Sequence, residues 1–167
     1  MKDIDLKDWL TKHSTDIQKV GGELRFTHFS GHTSILLPRV EWCDNLLSPQ
    51  CAALRGFYDQ YFGGRIGDSQ IVIASNLEGG IEISHGFRIP DLKEMKSRAM
   101  ELGMPAKSDQ EIFMVEAGWM FIYAYDFSTP DASLFYCDRD FKTTHKVDSF
   151  QKVLEDWWKM VIDDTLR

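Results

Sequence analysis

His28 and His32 stand four residues apart, a spacing that ligates zinc when both histidines lie on one helix with a glutamate beside the first. Here the next residue is Phe29, in a segment that reads as strand or turn, which argues against a metal site. Cys51 or Cys137 with His145 would supply a nucleophile and a base, yet no orienting group or oxyanion element accompanies them. Ser30-Gly31 and Ser75 lack the Gly-x-Ser-x-Gly elbow. Gly63-Gly64-Arg65-Ile66-Gly67 lacks the order of a phosphate cradle and a following Lys-Ser/Thr, so helix termination is its expected role. Asp126, Asp138 and Asp140 end or follow adjacent strand candidates and are expected to converge at one sheet edge. They have neither calcium-loop spacing nor its glycine, and Asp138-Arg139-Asp140 also reads as a turn. As a charged face they suit arginines or lysines from a protein partner.

The elements that position these residues are clearest near the C-terminus. Residues 112–116, 119–126 and 133–138 are rich in aromatic and β-branched side chains, separated by Ala117-Gly118 and Thr129-Pro130-Asp131, and predict an antiparallel meander. Asp148 or Ser149 can then cap a helix whose Phe150, Val153, Leu154, Trp157, Trp158 and Val161 form one apolar face. Upstream, Leu6, Trp9, Leu10, His13 and Ile17 predict a helix stopped by Gly21-Gly22. Leu24–Phe29 and Ile35–Leu37 read as strands around Ser30-Gly31.

Ser48 and Pro49 are expected to open a second helix carrying Cys51, Leu54, Phe57, Tyr58, Tyr61 and Phe62, which Gly63-Gly64 ends. Gln70–Ser75 and Ile81–His85 are expected to pair as a hairpin. Asp91, with Glu94 three residues on, predicts a capped helix with Leu92, Met95, Ala99 and Leu102 on one face and Gly103 as its stop. Helices mixed with hairpins, without regular βαβ alternation, indicate an α+β fold in a single domain spanning 1–167.

Composition is ordinary for a globular chain, with 43% hydrophobic and 27% charged residues, and no apolar run approaches the length of a membrane helix. The N-terminus has no apolar signal-peptide centre, so a cytoplasmic location is expected. Three cysteines without metal-ligand or CxxC spacing argue against a disulfide framework and read as small buried apolar residues. No cofactor or metal is expected.

The net charge of −7 is uneven. Residues 1–107 hold 14 acids and 13 bases, while residues 108–167 hold 12 acids and 6 bases. Such a field repels nucleic acid and favours encounter with basic proteins, although a solvated acidic face would serve solubility equally well.

Leu54-x-x-Phe57-Tyr58-x-x-Tyr61-x-Gly63-Gly64, a strand near Gln70–Ser75, then Ile112–Glu116, Trp119–Asp126, Leu134–Asp138 and a closing Ser149-Phe150-x-x-Val153-Leu154 helix together resemble the SMI1/KNR4 (SUKH) superfamily over residues 46–162. Gly63-Gly64 stands where many members have Asn-Gly, and residues 1–45 form an extension outside the resemblance. The resemblance implies an α+β domain with a bent, mostly antiparallel sheet covered by helices. It also implies a protein-binding module with no catalytic residue. Many bacterial members are immunity proteins that neutralise a cognate toxin, often a nuclease or deaminase; others resemble Syd or fungal cell-wall regulators.

The expected function is therefore a non-enzymatic immunity protein that occludes a basic toxin domain, without nucleic-acid binding or membrane insertion. A regulatory scaffold of the Syd or cell-wall type is the alternative, followed by a small hydrolase or metal-dependent enzyme. Glu116, Asp126, Asp138 and Asp140 are the expected charged contacts, with Tyr125 and Phe135 as aromatic anchors. Alternation along a strand puts Phe121, Tyr123 and Tyr125 on one face and Met120, Ile122 and Ala124 on the other.

Overall fold

The computed structural model describes residues 4–41, 43–68, 70–138, 140 and 143–166, with the backbone alone at His85 and 163–166. Helix α1 (Leu6–Lys12) begins where the Asp5 carboxylate accepts the Asp8 N–H. It ends at His13 because the His13 ring and the Ser14 hydroxyl donate back to the carbonyls of Trp9 and Leu10. The expected continuation of this helix to Ile17 is corrected. Thr15, Ile17 and Val20 favour extended backbone, and Ser14–Val20 is strand β1, paired with β2 (Glu23–His28) across a hairpin turn at Gly21-Gly22. Strand β3 (Thr33–Pro38) follows the Ser30-Gly31 turn as expected.

Helix α2 covers only Ala52–Tyr58, with Cys51 and not Ser48 at its N-cap. Tyr61, Phe62, Gly63 and Gly64 belong instead to β4 (Tyr61–Ile66), so the glycine pair does not end the helix. Its role is close approach between strands: a Cβ on Gly64 would stand 2.7 Å from the Ile35 carbonyl oxygen of β3.

The hairpin expected between the next two apolar segments is also corrected. β5 (Ile71–Ile73) stays in the main sheet, while β6 (Ile81–Glu82) pairs with β7 (Arg88–Ile89) in a separate ribbon. Asp91 caps α3 (Leu92–Glu101) as expected, accepting the N–H groups of Glu94 and, from the ribbon side, Gly79. Leu102 sits at the C-cap, 38% exposed, and Met104 beyond Gly103 is buried in its stead.

Strands β8 (Gln110–Glu116), β9 (Phe121–Asp126) and β10 (Ser133–Asp138) form the expected meander, and β11 (Thr144–Lys146), which the sequence pattern does not announce, extends it. Ser149 caps the closing helix α4 (Phe150–Leu166) by accepting the Lys152 N–H.

The result is an α+β fold built on one open, nine-stranded sheet in the order β1-β2-β3-β4-β5-β8-β9-β10-β11, every neighbour antiparallel. Within the N-terminal extension, Leu6–Lys12 forms α1 and Ser14–Val20, Glu23–His28 and Thr33–Pro38 are three strands of this sheet. Successive residues Ile112–Val115 are all buried, which requires cover on both faces. On one face α4 buries Phe150, Val153, Leu154, Trp157 and Val161, and its Trp157 and Trp158 rings meet Trp9 of α1 at 6.2 and 6.3 Å. Helices α1 and α4 are thereby packed together. Among the described residues, no helix is long and apolar enough to cross a membrane.

Candidate functional site

Strand register builds two rows of side chains on the face that α4 covers. Tyr123, Tyr136 and His145 lie directly opposite one another on β9, β10 and β11. Their rings form a ladder, with centroids 5.5 Å apart between the tyrosines and 4.8 Å between Tyr136 and His145. Two residues along, Glu116, Phe121 and Asp138 form the second row, so a carboxylate stands on each side of Phe121. Helix α4 leans over these rows with Lys152, Val153, Asp156 and Trp157, leaving a cleft of about 250 Å³.

The electrostatics of the cleft centre on Glu116. Tyr123 Oη donates to Glu116 Oε2 at 2.5 Å. Burial pushes the Glu116 carboxyl above the ordinary carboxylate range; the Tyr123 hydrogen bond opposes this, and the charge of Asp156 adds to it. Burial and the adjacent Glu116 push the Tyr123 phenol well up in turn, so it remains a donor. Lys152 Nζ contacts Asp156 Oδ1 at 2.6 Å within α4, and His145 Nε2 lies 3.7 Å from Asp138 Oδ2.

A group whose folded pKa is raised binds its proton more readily folded than unfolded, so its contribution to stability is present at low pH and is lost as pH rises. Ionised Glu116 therefore weakens the fold at neutral pH. Glu116→Gln is expected to raise the melting temperature at about pH 7 and to leave it nearly unchanged at about pH 4. Paired thermal melts test this, and a variant less stable at neutral pH would contradict it.

The residues expected to contact a partner divide into three groups. Glu116 lines the cleft, and Asp138 lies beside it in register with Phe121. Asp140 follows, its N–H donating to Asp138 Oδ1 at 3.3 Å. Asp126 is elsewhere: it pairs with Ser133 and Gln110 at the opposite end of the meander, about 17 Å from Asp138 along the strands, and accepts from Ser128. The expected convergence of Asp126, Asp138 and Asp140 at one edge is thus corrected, because consecutive antiparallel strands end at opposite edges. Tyr125 and Phe135 are corrected as anchors, being 4% and 7% exposed; Tyr125 stacks on Phe113 at 5.2 Å in the core. Sequence reasoning misses Tyr136, Asp156 and Lys152, although the alternation that pairs Phe121 with Tyr123 points toward the first of them.

The other candidate chemistry does not assemble. Ser34 Oγ lies 2.6 Å from His28 Nε2, the separation of a nucleophile and base, but the residues are 0% and 1% exposed and the Trp157 ring packs edge-on against His28. No space remains there for a substrate. His32 pairs with Asp68 at 2.7 Å, Cys51 and Cys137 are buried, and burial holds both thiols above their ordinary pKa. Among the described residues, no three His, Cys, Asp or Glu side chains are placed to hold a metal ion. Arg139 and Lys142, between β10 and β11, lie outside the described residues. No family model, curated protein or solved structure matches the chain.

Proposed function

We propose that this protein is a cytoplasmic, non-enzymatic protein-binding module of the SMI1/KNR4 type that neutralises a basic toxin domain by covering its working surface. The observation that carries the reading is the acidic end of the meander, where Glu116 and Asp138 flank Phe121 in register and Asp156 lines the cleft with Glu116 from α4. Carboxylates so arranged around an aromatic floor favour a cationic protein surface and repel phosphate backbones. The open antiparallel sheet under helices supports the family reading. The short α2 and the placement of Gly63-Gly64 within β4 depart from the pattern on which it rests.

The test is co-expression with the product of the neighbouring reading frame, followed by co-purification and a toxicity assay. A complex that protects the host is expected, with Glu116→Lys/Asp138→Lys slowing association on the order of 100-fold at low salt. Absence of a complex, or unchanged association by the double variant, would overturn the reading for that pair.

A further inference from the structure

We propose that the cleft between α4 and the meander is a receptor for one arginine side chain of the basic partner. This rests on the protein-binding reading above and names the group that is recognised.

The first argument is size. At about 250 Å³ the cleft lies below the roughly 300–1,000 Å³ typical of small-molecule and cofactor sites, and suits a single long side chain. The second is charge. Glu116 sits in the cleft with Tyr123 as its hydrogen-bond donor and Asp156 as a like-charged neighbour, so the site carries an electrostatic cost that an entering cation relieves. Lys152, a cation of the lining, is held on Asp156 by an exposed pair within a single helix. Such solvent-exposed pairs within one helix are weak, so Lys152 is readily displaced.

The third argument is shape. Tyr136, Phe121 and Tyr123 present ring surface beside the carboxylates, with Phe121 edge-on to Tyr136 at 5.8 Å. A planar guanidinium stacks on such rings while donating two parallel N–H bonds to a carboxylate; an ammonium, a strongly hydrated point charge, does the second less well. A neutral side chain would leave the Glu116 charge uncompensated.

The experiment uses the full chain and three capped amino acids: N-acetyl-arginine amide, its lysine analogue and its neutral isostere N-acetyl-citrulline amide. Binding is followed by NMR shifts of the Tyr136 ring and the Trp157 indole N–H. Arginine is expected to bind at least ~10-fold more tightly than citrulline and several-fold more tightly than lysine. Glu116→Gln is expected to weaken arginine binding at least ~10-fold, whereas Asp131→Asn, an equal charge change in an exposed loop, leaves it unaltered. Thermal melts confirm that both variants fold. Equal binding of arginine and citrulline, no effect of Glu116→Gln, or shifts confined to other residues would overturn the proposal. Capture of the toxin domain with undiminished affinity by Glu116→Gln would overturn the cleft and leave the protein-binding reading standing. Arginine binding at the cleft without any captured toxin domain would do the reverse.

Discussion

Gly67→Ala is expected to lower the stability of the protein by about 3 kcal/mol, read as a melting temperature roughly 6–12 °C lower and a matching fall in the urea midpoint. Two costs add. Gly67 has φ +66°, where a Cβ costs an L-residue about 1–2 kcal/mol. That Cβ would also stand 2.2 Å from Cζ2 and 2.8 Å from Cε2 of Trp157, a separation that forces atoms to move. Trp157 is held in place by its neighbours: it is 1% exposed, with Trp9, His28 and Trp158 packed around it. Overpacking of this kind costs roughly 1–3 kcal/mol. Gly31→Ala separates the two costs, since Gly31 has φ +86° but nothing within 4 Å of the point where a Cβ would stand, and it should lose only about 1 kcal/mol. Equal losses in the two variants would mean that the indole does not bear on the β4–β5 turn.

The meander and α4 are legible in the sequence because their signals are local. Residues 112–116, 119–126 and 133–138 combine β-favouring side chains with clear breaks, and the 3.6-residue period of Phe150, Val153, Leu154, Trp157 and Val161 has no competing reading. The helix expected from residue 48 overshoots its true end because Tyr61 and Phe62 continue the spacing of Leu54, Phe57 and Tyr58. What ends it is tertiary, the insertion of Tyr61–Ile66 between β3 and β5. The pairing of β5 with β8 joins segments that the ribbon and α3 separate in the chain, and local pattern carries no record of such a contact.

The candidate site is half legible for a related reason. Strand ends that alternate in an antiparallel sheet put Glu116 and Asp138, the ends of β8 and β10, at one edge and Asp126, the end of β9, at the other. That much follows from topology once the meander is accepted. The contribution of Asp156 and Lys152 does not, because an apolar stripe says which side of α4 is buried and leaves open which strands it covers and how far it slides along them.

His28 makes the second large contribution to stability, and it does so only while uncharged. Its Nδ1–H donates to the His13 carbonyl at 2.9 Å, with Ser14 Oγ at 3.3 Å, while Nε2 accepts the Ser34 hydroxyl at 2.6 Å and Ser34 Oγ in turn accepts the Gly67 N–H. The chain of bonds ties α1 to β2, β3 and the β4–β5 turn. His28→Ala leaves Ser34 and the His13 carbonyl without this partner in a site 1% exposed and opens a void beside Trp157, so a loss of about 3–4 kcal/mol is expected.

Burial holds the His28 pKa below its ordinary value; the His13 carbonyl opposes this, His13 and His32 add to it, and Asp68 is the nearby acid that counters it. The unfolded chain therefore takes up a proton that the folded protein refuses. The stabilisation is complete above the ordinary histidine pKa of about 6.5 and is lost as pH falls toward the depressed folded value, at no more than about 1.4 kcal/mol per pH unit. Between about pH 7.5 and about pH 5.5 the urea midpoint of the parent should lose ground to that of His28→Gln as pH falls. Glu111 and Glu116, both held above the ordinary carboxylate range by burial, act in the opposite sense in both proteins, so the difference between parent and variant isolates the imidazole. Parallel pH slopes would place the acid sensitivity elsewhere.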